Sequence, residues 1–158
     1  MTSDARGFTL VELLVVISII GVLATIGLPL AELAQRRTQE EELRQALRDI
    51  RSALDNYKQK VDQGHIIRAV GDTGYPPDLN VLEAGVVDAQ SPRGDKLYFL
   101  RRLPRDPFAA PSLGTAAETW GLRSAVSSAS EPQPGRDVYD VYSKSTQIGF
   151  NDTPYRQW

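Results

Sequence analysis

The sequence predicts an α+β fold: a long N-terminal α-helix, membrane-embedded over its first half, with a small antiparallel β-sheet packed on its second half. Three observations lead there. Residues 8–31 contain a single charged side chain, Glu12. Residues 43–61 repeat apolar side chains at helical spacing. Nine of the ten prolines fall after residue 65, where they divide the chain into loops and short extended segments.

The apolar block comes first. At about 1.5 Å per residue, a helix over 8–31 is roughly 36 Å long, enough to cross a hydrocarbon layer of about 30 Å. A core helix of a soluble protein keeps a polar side, whereas this block is apolar all round, which points to lipid. Two features set it apart from a plain anchor. Glu12 lies within hydrocarbon reach, where an ionisable side chain costs at least about 2.5–3.5 kcal/mol and calls for a partner or an interfacial position. Pro29, with Gly21 and Gly27 nearby, is a candidate helix break, because proline lacks the N–H and clashes with the carbonyl four residues back. Gly and Pro are also common in membrane helices at large. The flanking charges, Asp4 and Arg6 before the block and Glu32, Arg36 and Arg37 after it, fix no orientation. The alternative is a removable secretory signal cut after Val22-Leu23-Ala24, although a glutamate would then open its apolar region.

The helix is expected to continue over 32–63. Leu43, Ala46, Leu47, Ile50, Leu54, Tyr57 and Val61 form one apolar stripe, and Arg44, Arg48, Asp49, Arg51, Asp55 and Lys58 lie opposite, with Arg51 and Asp55 of opposite charge at i,i+4. Arg36, Arg37 and residues 40–42 read as solvated surface, or as charges that match a neighbouring subunit. A continuous helix over 8–63 would measure roughly 84 Å, and Gly64 is a plausible stop.

Beyond it, segments 96–101, 118–123 and 137–143 look like short strands, and 86–90 like a weak strand or turn. Packing these on the stripe of 43–61 completes a single α+β core. A balance of 18 Lys and Arg against 20 Asp and Glu gives a net charge of −2, which makes nucleic acid an unlikely partner. Without cysteine there is no disulfide, thiolate metal site or cysteine nucleophile. The lone histidine, His65, excludes two-imidazole zinc motifs and, just past the helix, suits a cap or surface role rather than catalysis.

The junction Arg6-Gly7-Phe8-Thr9-Leu10-Val11-Glu12 resembles the cleavage signal of type IV pilins and type II secretion pseudopilins. That resemblance implies a leader over residues 1–7, cut between Gly7 and Phe8 by a prepilin peptidase, and N-methylation of Phe8. It makes Glu12 the acidic fifth residue of the mature chain and puts Pro29 where the family often has a helix-breaking proline. In a staggered array, the Glu12 carboxylate of one subunit would meet the terminal amine of the next, where an unpaired charge is far costlier than a paired one. In the carboxyl half, Tyr75-Pro76, the run from Leu100 to Phe108, Trp120-Gly121 and Asp140-Val141-Tyr142-Ser143 resemble the major pseudopilin branch. Two departures stand out: Ala109 replaces a glycine, and the stretch 110–119 before the tryptophan is longer.

The resemblance also implies calcium, bound in the loop before the last strand. Here that loop spans 127–140, with Glu131, Asp137 and Asp140 as its carboxylates; Glu131 replaces an expected aspartate, and the family's glycine-dense run is missing. Ca²⁺ takes six to eight oxygens, which a Gly- and Pro-rich loop can help supply. The implied organisation is then a leader (1–7), a membrane and filament-core helix (8–31), its periplasmic half (32–63) and a loop and sheet region (64–158). The implied function is that of a non-enzymatic subunit, anchored once in the bacterial inner membrane with a periplasmic carboxyl-terminal region. It would polymerise into a pseudopilus for type II secretion, with minor pseudopilins and an inner-membrane assembly platform as partners. Two alternatives stay open, a type IV pilus subunit and, from another class, a membrane-anchored enzyme or ligand-binding protein.

Overall fold

The computed structural model describes residues 8–158, with the side chains of 26–29 outside that description. The backbone divides into two compact units, one ending at Thr38 and the other formed by Gln39–Trp158. Helix α1 (Leu10–Asp62) supplies the described helix of the first unit and opens the second. It is assigned helical through Pro29, so the expected break is not found in the backbone. A proline removes the hydrogen bond of its own nitrogen, and the bonds of the flanking turns can hold a helix across it.

In the first unit, every described side chain from Phe8 to Thr25 is exposed. Leu10, Val11, Ile20, Val22 and Leu23 each show more than half of their surface, as does Phe8 just before the helix. A continuous apolar surface of this kind marks a contact with lipid or with other protein, and α1 is long and apolar enough there to cross a membrane.

The second unit is built on the predicted stripe. Leu43, Ala46, Leu47, Ile50, Ala53, Leu54, Tyr57 and Val61 are all buried, and they pack with Ile66, Leu79, Leu82, Leu103, Trp120, Val138, Val141 and Tyr155. The helix ends where the sequence places the stop. Gly64 adopts a left-handed φ of 79°; its N–H donates to the Val61 carbonyl and that of His65 to the Lys60 carbonyl, each at 3.0 Å, the paired bonds of a Schellman cap. His65 itself contacts Asp88, with Nδ1 to Oδ1 at 2.9 Å.

The sheet is smaller and more divided than the sequence predicts. β1 (Val86–Val87) pairs antiparallel with β2 (Lys96–Leu97), and β3 (Trp120–Arg123) with β4 (Asp140–Ser143). Two short helices, α2 (Asn80–Ala84) and α3 (Ala116–Thr119), and a 3-10 turn (Tyr155–Gln157) complete the unit. The Asp78 carboxylate starts α2 by accepting the N–H groups of Asn80 and Val81. Glu118 and Thr119, expected in a strand, belong instead to α3, because Thr115 and Glu118 form a capping box that nucleates a helical turn there. Opposite Tyr142 in the β3–β4 register stands Gly121, where a Cβ would come within 2.3 Å of the tyrosine ring; only glycine leaves room for it.

Candidate functional site

At the start of α1 the backbone N–H groups lack intrahelical partners. Thr9 and Glu12 satisfy two of them reciprocally: the Glu12 N–H donates to Thr9 Oγ1 at 3.2 Å and the Thr9 N–H to Glu12 Oε2 at 2.8 Å. The Thr9 hydroxyl also donates to Glu12 Oε2, at 2.8 Å. This is a capping box, legible in the T-x-x-E spacing although hydrophobic periodicity passes over it. It explains how the only acid of the apolar block is accommodated in a single chain. The carboxylate lies at the positive end of the helix dipole with its own donors in place. Phe8, the expected mature terminus, is 89% exposed; Gly7 lies outside the described residues. Glu12 and Phe8 therefore share one exposed end of an exposed apolar helix.

The carboxyl-half motifs that carry the resemblance converge in the second unit. Asp106, 3% exposed, accepts the Ser143 hydroxyl at 2.6 Å and the Phe108 N–H at 2.8 Å, while its own N–H donates to Thr119 Oγ1 at 3.1 Å. The Trp120 indole N–H donates to the Pro104 carbonyl at 2.9 Å. Val138 N–H reaches the Pro76 carbonyl at 2.8 Å, and Tyr75 packs edge-on against Tyr139. The D-P-F run, the W-G pair, the Y-P pair and the last strand are thus parts of one hydrogen-bonded core.

Glu40 corrects the sequence reading. Expected among solvated charges, it is 2% exposed. Its Oε1 accepts the Phe150 N–H and the Tyr155 hydroxyl, both at 2.9 Å, and its Oε2 takes Arg44 at 3.2 Å. The signal was present in the stripe itself, since residue 40 stands three before Leu43 and seven before Leu47. Arg51 likewise turns away from the expected Asp55 to pair with Asp140, Nε to Oδ1 at 2.8 Å.

The three carboxylates assigned to calcium are not gathered, and among the described residues no cluster of three His, Cys, Asp or Glu side chains could hold a metal. Glu131 is exposed. Asp140 Oδ1 takes Arg51 and its neighbour's N–H, that of Val141, while Oδ2 faces Arg123 Nε at 4.0 Å. Asp137 is filled by donors: Thr73 gives its hydroxyl to Oδ2, and Ser124 its hydroxyl and Ala125 its N–H to Oδ1. Guanidinium and hydroxyl donors occupy the oxygens that a cation needs, so the arrangement does not fit Ca²⁺.

Burial alone would raise the Asp137 pKa, but the hydrogen bonds from Ser124, Thr73 and Ala125 outweigh it and hold the group below the ordinary aspartate value of 3.8. A depressed folded-state pKa contributes stability that is complete above the ordinary value and is lost as pH falls through the folded one. Replacing Asp137 with Asn should cost about 1–2 kcal/mol at neutral pH. Urea unfolding of both proteins should show that gap narrowing as pH falls below the ordinary aspartate value of 3.8; a gap independent of pH would refute the role of the charge.

An exposed apolar helix opened by a capped glutamate, followed by an α+β unit on the same helix, defines the type IV pilin-like class of subunit. The prokaryotic N-terminal methylation motif matches residues 2–28. The chain is 28% identical over 136 residues to the type II secretion system core protein G of Klebsiella michiganensis, covering 84% of this chain and 88% of that protein. It is 31% identical to the protein of the same name from Dickeya chrysanthemi over 114 residues, 70% of this chain and 67% of the relative. The Escherichia coli K12 protein gives 31% over 111 residues, 68% and 69% of the two chains. No solved structure matches. The chain belongs to the type II secretion system core protein G family, and its function is that of a pseudopilin subunit in type II secretion. Its relatives are structural subunits.

Proposed function

We propose that prepilin peptidase cuts this chain between Gly7 and Phe8, that Phe8 is N-methylated, and that the mature subunit is held once in the bacterial inner membrane with the unit Gln39–Trp158 in the periplasm. From there an assembly platform adds it to a helical homopolymer, the pseudopilus, together with minor pseudopilins. The observation that supports this reading most is the uninterrupted exposure of the apolar side chains around Glu12. Packing such helices against one another buries apolar area at about 25 cal/mol per Å² relative to water. Within a lipid environment, the gain is instead close packing and the pairing of polar groups.

Glu12 then sets the register. The amine released at Phe8 is protonated at neutral pH, and the carboxylate of one subunit can meet the amine of the next in a low-dielectric helix array. A pair in register is tolerated there, and an axial slip separates two buried charges at a cost of several kcal/mol.

The test has two parts. Mass spectrometry of the mature protein should give a chain that begins with a methylated Phe8; one that begins near Thr25 would identify an exported protein that has lost its apolar block. Glu12→Gln retains an oxygen for the Thr9 cap but removes the charge, and Glu12→Ala removes both. Both variants should be processed and both should fail to enter filaments, with sheared-fibre yield reduced at least about 10-fold, the equivalent of 1.4 kcal/mol. Wild-type fibre yield from Glu12→Gln would show that the charge plays no part.

A further inference from the structure

The disagreement between the expected calcium ligands and the structure has a specific centre. The Arg51 guanidinium donates through Nε to Asp140 Oδ1 at 2.8 Å, and through one terminal nitrogen to the Val141 carbonyl at 3.2 Å and the Trp158 backbone oxygen at 2.7 Å. One carboxylate and two backbone oxygens form the kind of all-oxygen set that a hard divalent cation takes. In this chain a guanidinium fills it. A second, Arg123, lies across from Asp140 Oδ2 and over the Tyr139 ring, 4.8 Å from its centroid.

We propose that Arg51 performs in this protein the task of a bound divalent cation, drawing β4 and the terminal 3-10 turn onto α1, and that the folded unit Gln39–Trp158 is consequently independent of calcium. The geometry suits a guanidinium: its donors are fixed in a plane and diverge, so a single side chain can reach three oxygens on two separate segments, which an ammonium cannot do with the same pre-organisation. The positive charge is also permanent, whereas a bound ion is lost when its concentration falls. The surrounding contacts act in the same direction. Glu40 holds Phe150 and Tyr155 from the same helix, and Arg44 stacks over the Trp158 ring, 4.4 Å from its centroid. The carboxyl-terminal segment is therefore attached to α1 at three helix positions, 40, 44 and 51, by groups of the chain itself. A Ca²⁺ ion entering at Asp140 would have to displace two arginines from a partly buried carboxylate, against the like charge of both.

The experiment uses the full chain purified in detergent micelles. Its thermal unfolding is followed by near-ultraviolet circular dichroism, which reads the packing of Trp120 and Trp158. Wild-type Tm in millimolar calcium chloride should equal that in EDTA to within about 1 °C, and Arg51→Gln should lower Tm by at least roughly 4 °C in both buffers. A calcium-dependent rise of about 5 °C or more in the wild type would overturn the proposal, as would an Arg51→Gln variant as stable as the wild type. If Arg51→Gln does not fold, the wild-type comparison decides alone, together with calorimetric titration of calcium into the wild type. Absence of binding heat at millimolar calcium supports the proposal, and saturable binding with one ion per chain refutes it.

Discussion

Replacing Glu40 with alanine is expected to cost about 3 kcal/mol or more and to lower the Tm of the unit Gln39–Trp158 by roughly 10 °C. The reason lies in what one carboxylate does. At 2% exposure it has given up its hydration, and it is compensated by the Phe150 N–H, the Tyr155 hydroxyl and the Arg44 guanidinium. Alanine removes the shared acceptor, opens a void beside the helix and leaves Arg44 without this counter-charge. Glu40→Gln, which keeps the shape and one acceptor oxygen, should cost less, about 1–2 kcal/mol. A double-mutant cycle with Tyr155→Phe isolates the buried hydroxyl bond, and a coupling of about 0.5–3 kcal/mol is expected. Additive single effects would show that the bond contributes nothing. The segment released first should be the terminal one, visible as faster amide exchange around residues 147–157 with the 43–61 helix still protected.

Local patterns made much of this molecule legible. The stripe from Leu43 to Val61 is a periodicity within one helix, and all seven of its predicted members are buried. Gly64 is a one-residue stop signal, and it caps the helix. The described side chains of the apolar block, Phe8 to Thr25, are exposed, and its resemblance-bearing junction falls within the methylation motif. The failures share a different origin. Arg51 has an opposite charge four residues away in Asp55, yet it binds Asp140, 89 positions along the chain. Nothing local distinguishes those two partners. Asp137 finds its hydroxyl donors at Thr73 and Ser124, from two different loops. Asp137 and Asp140, two of the carboxylates that the resemblance implied as calcium ligands, are thus engaged by donors distant in the sequence. Glu40 is an intermediate case, because its place on the stripe was visible while its charge argued for solvent; a buried partner network decided the matter. The strand at 118–123 is another, with a capping box converting its first two residues to helix.

Trp120→Ala should be the most destabilising single change in the second unit outside the Glu40 network, at about 3–5 kcal/mol. The indole is 1% exposed within the core cluster, and its N–H holds the Pro104 carbonyl at 2.9 Å. Truncation therefore removes a large apolar surface, leaves a cavity within the core cluster, and withdraws a donor from the segment that carries Asp106. Trp120→Phe restores most of the volume but not that bond, so it should cost less, about 1–3 kcal/mol. Because the proposed cleavage junction and the exposed apolar surface belong to the other unit, the two functions should separate. In Trp120→Ala, limited proteolysis should digest residues beyond the helix much faster than in wild type, while the protein still enters membranes and still yields the same amino-terminal mass. Simultaneous loss of membrane insertion and of folding would mean that the apolar helix depends on the packed unit, contrary to the division seen in the fold. Retained insertion with an unfolded carboxyl-terminal unit would locate anchoring and processing in the first unit alone, and leave to the second whatever the filament displays to its surroundings.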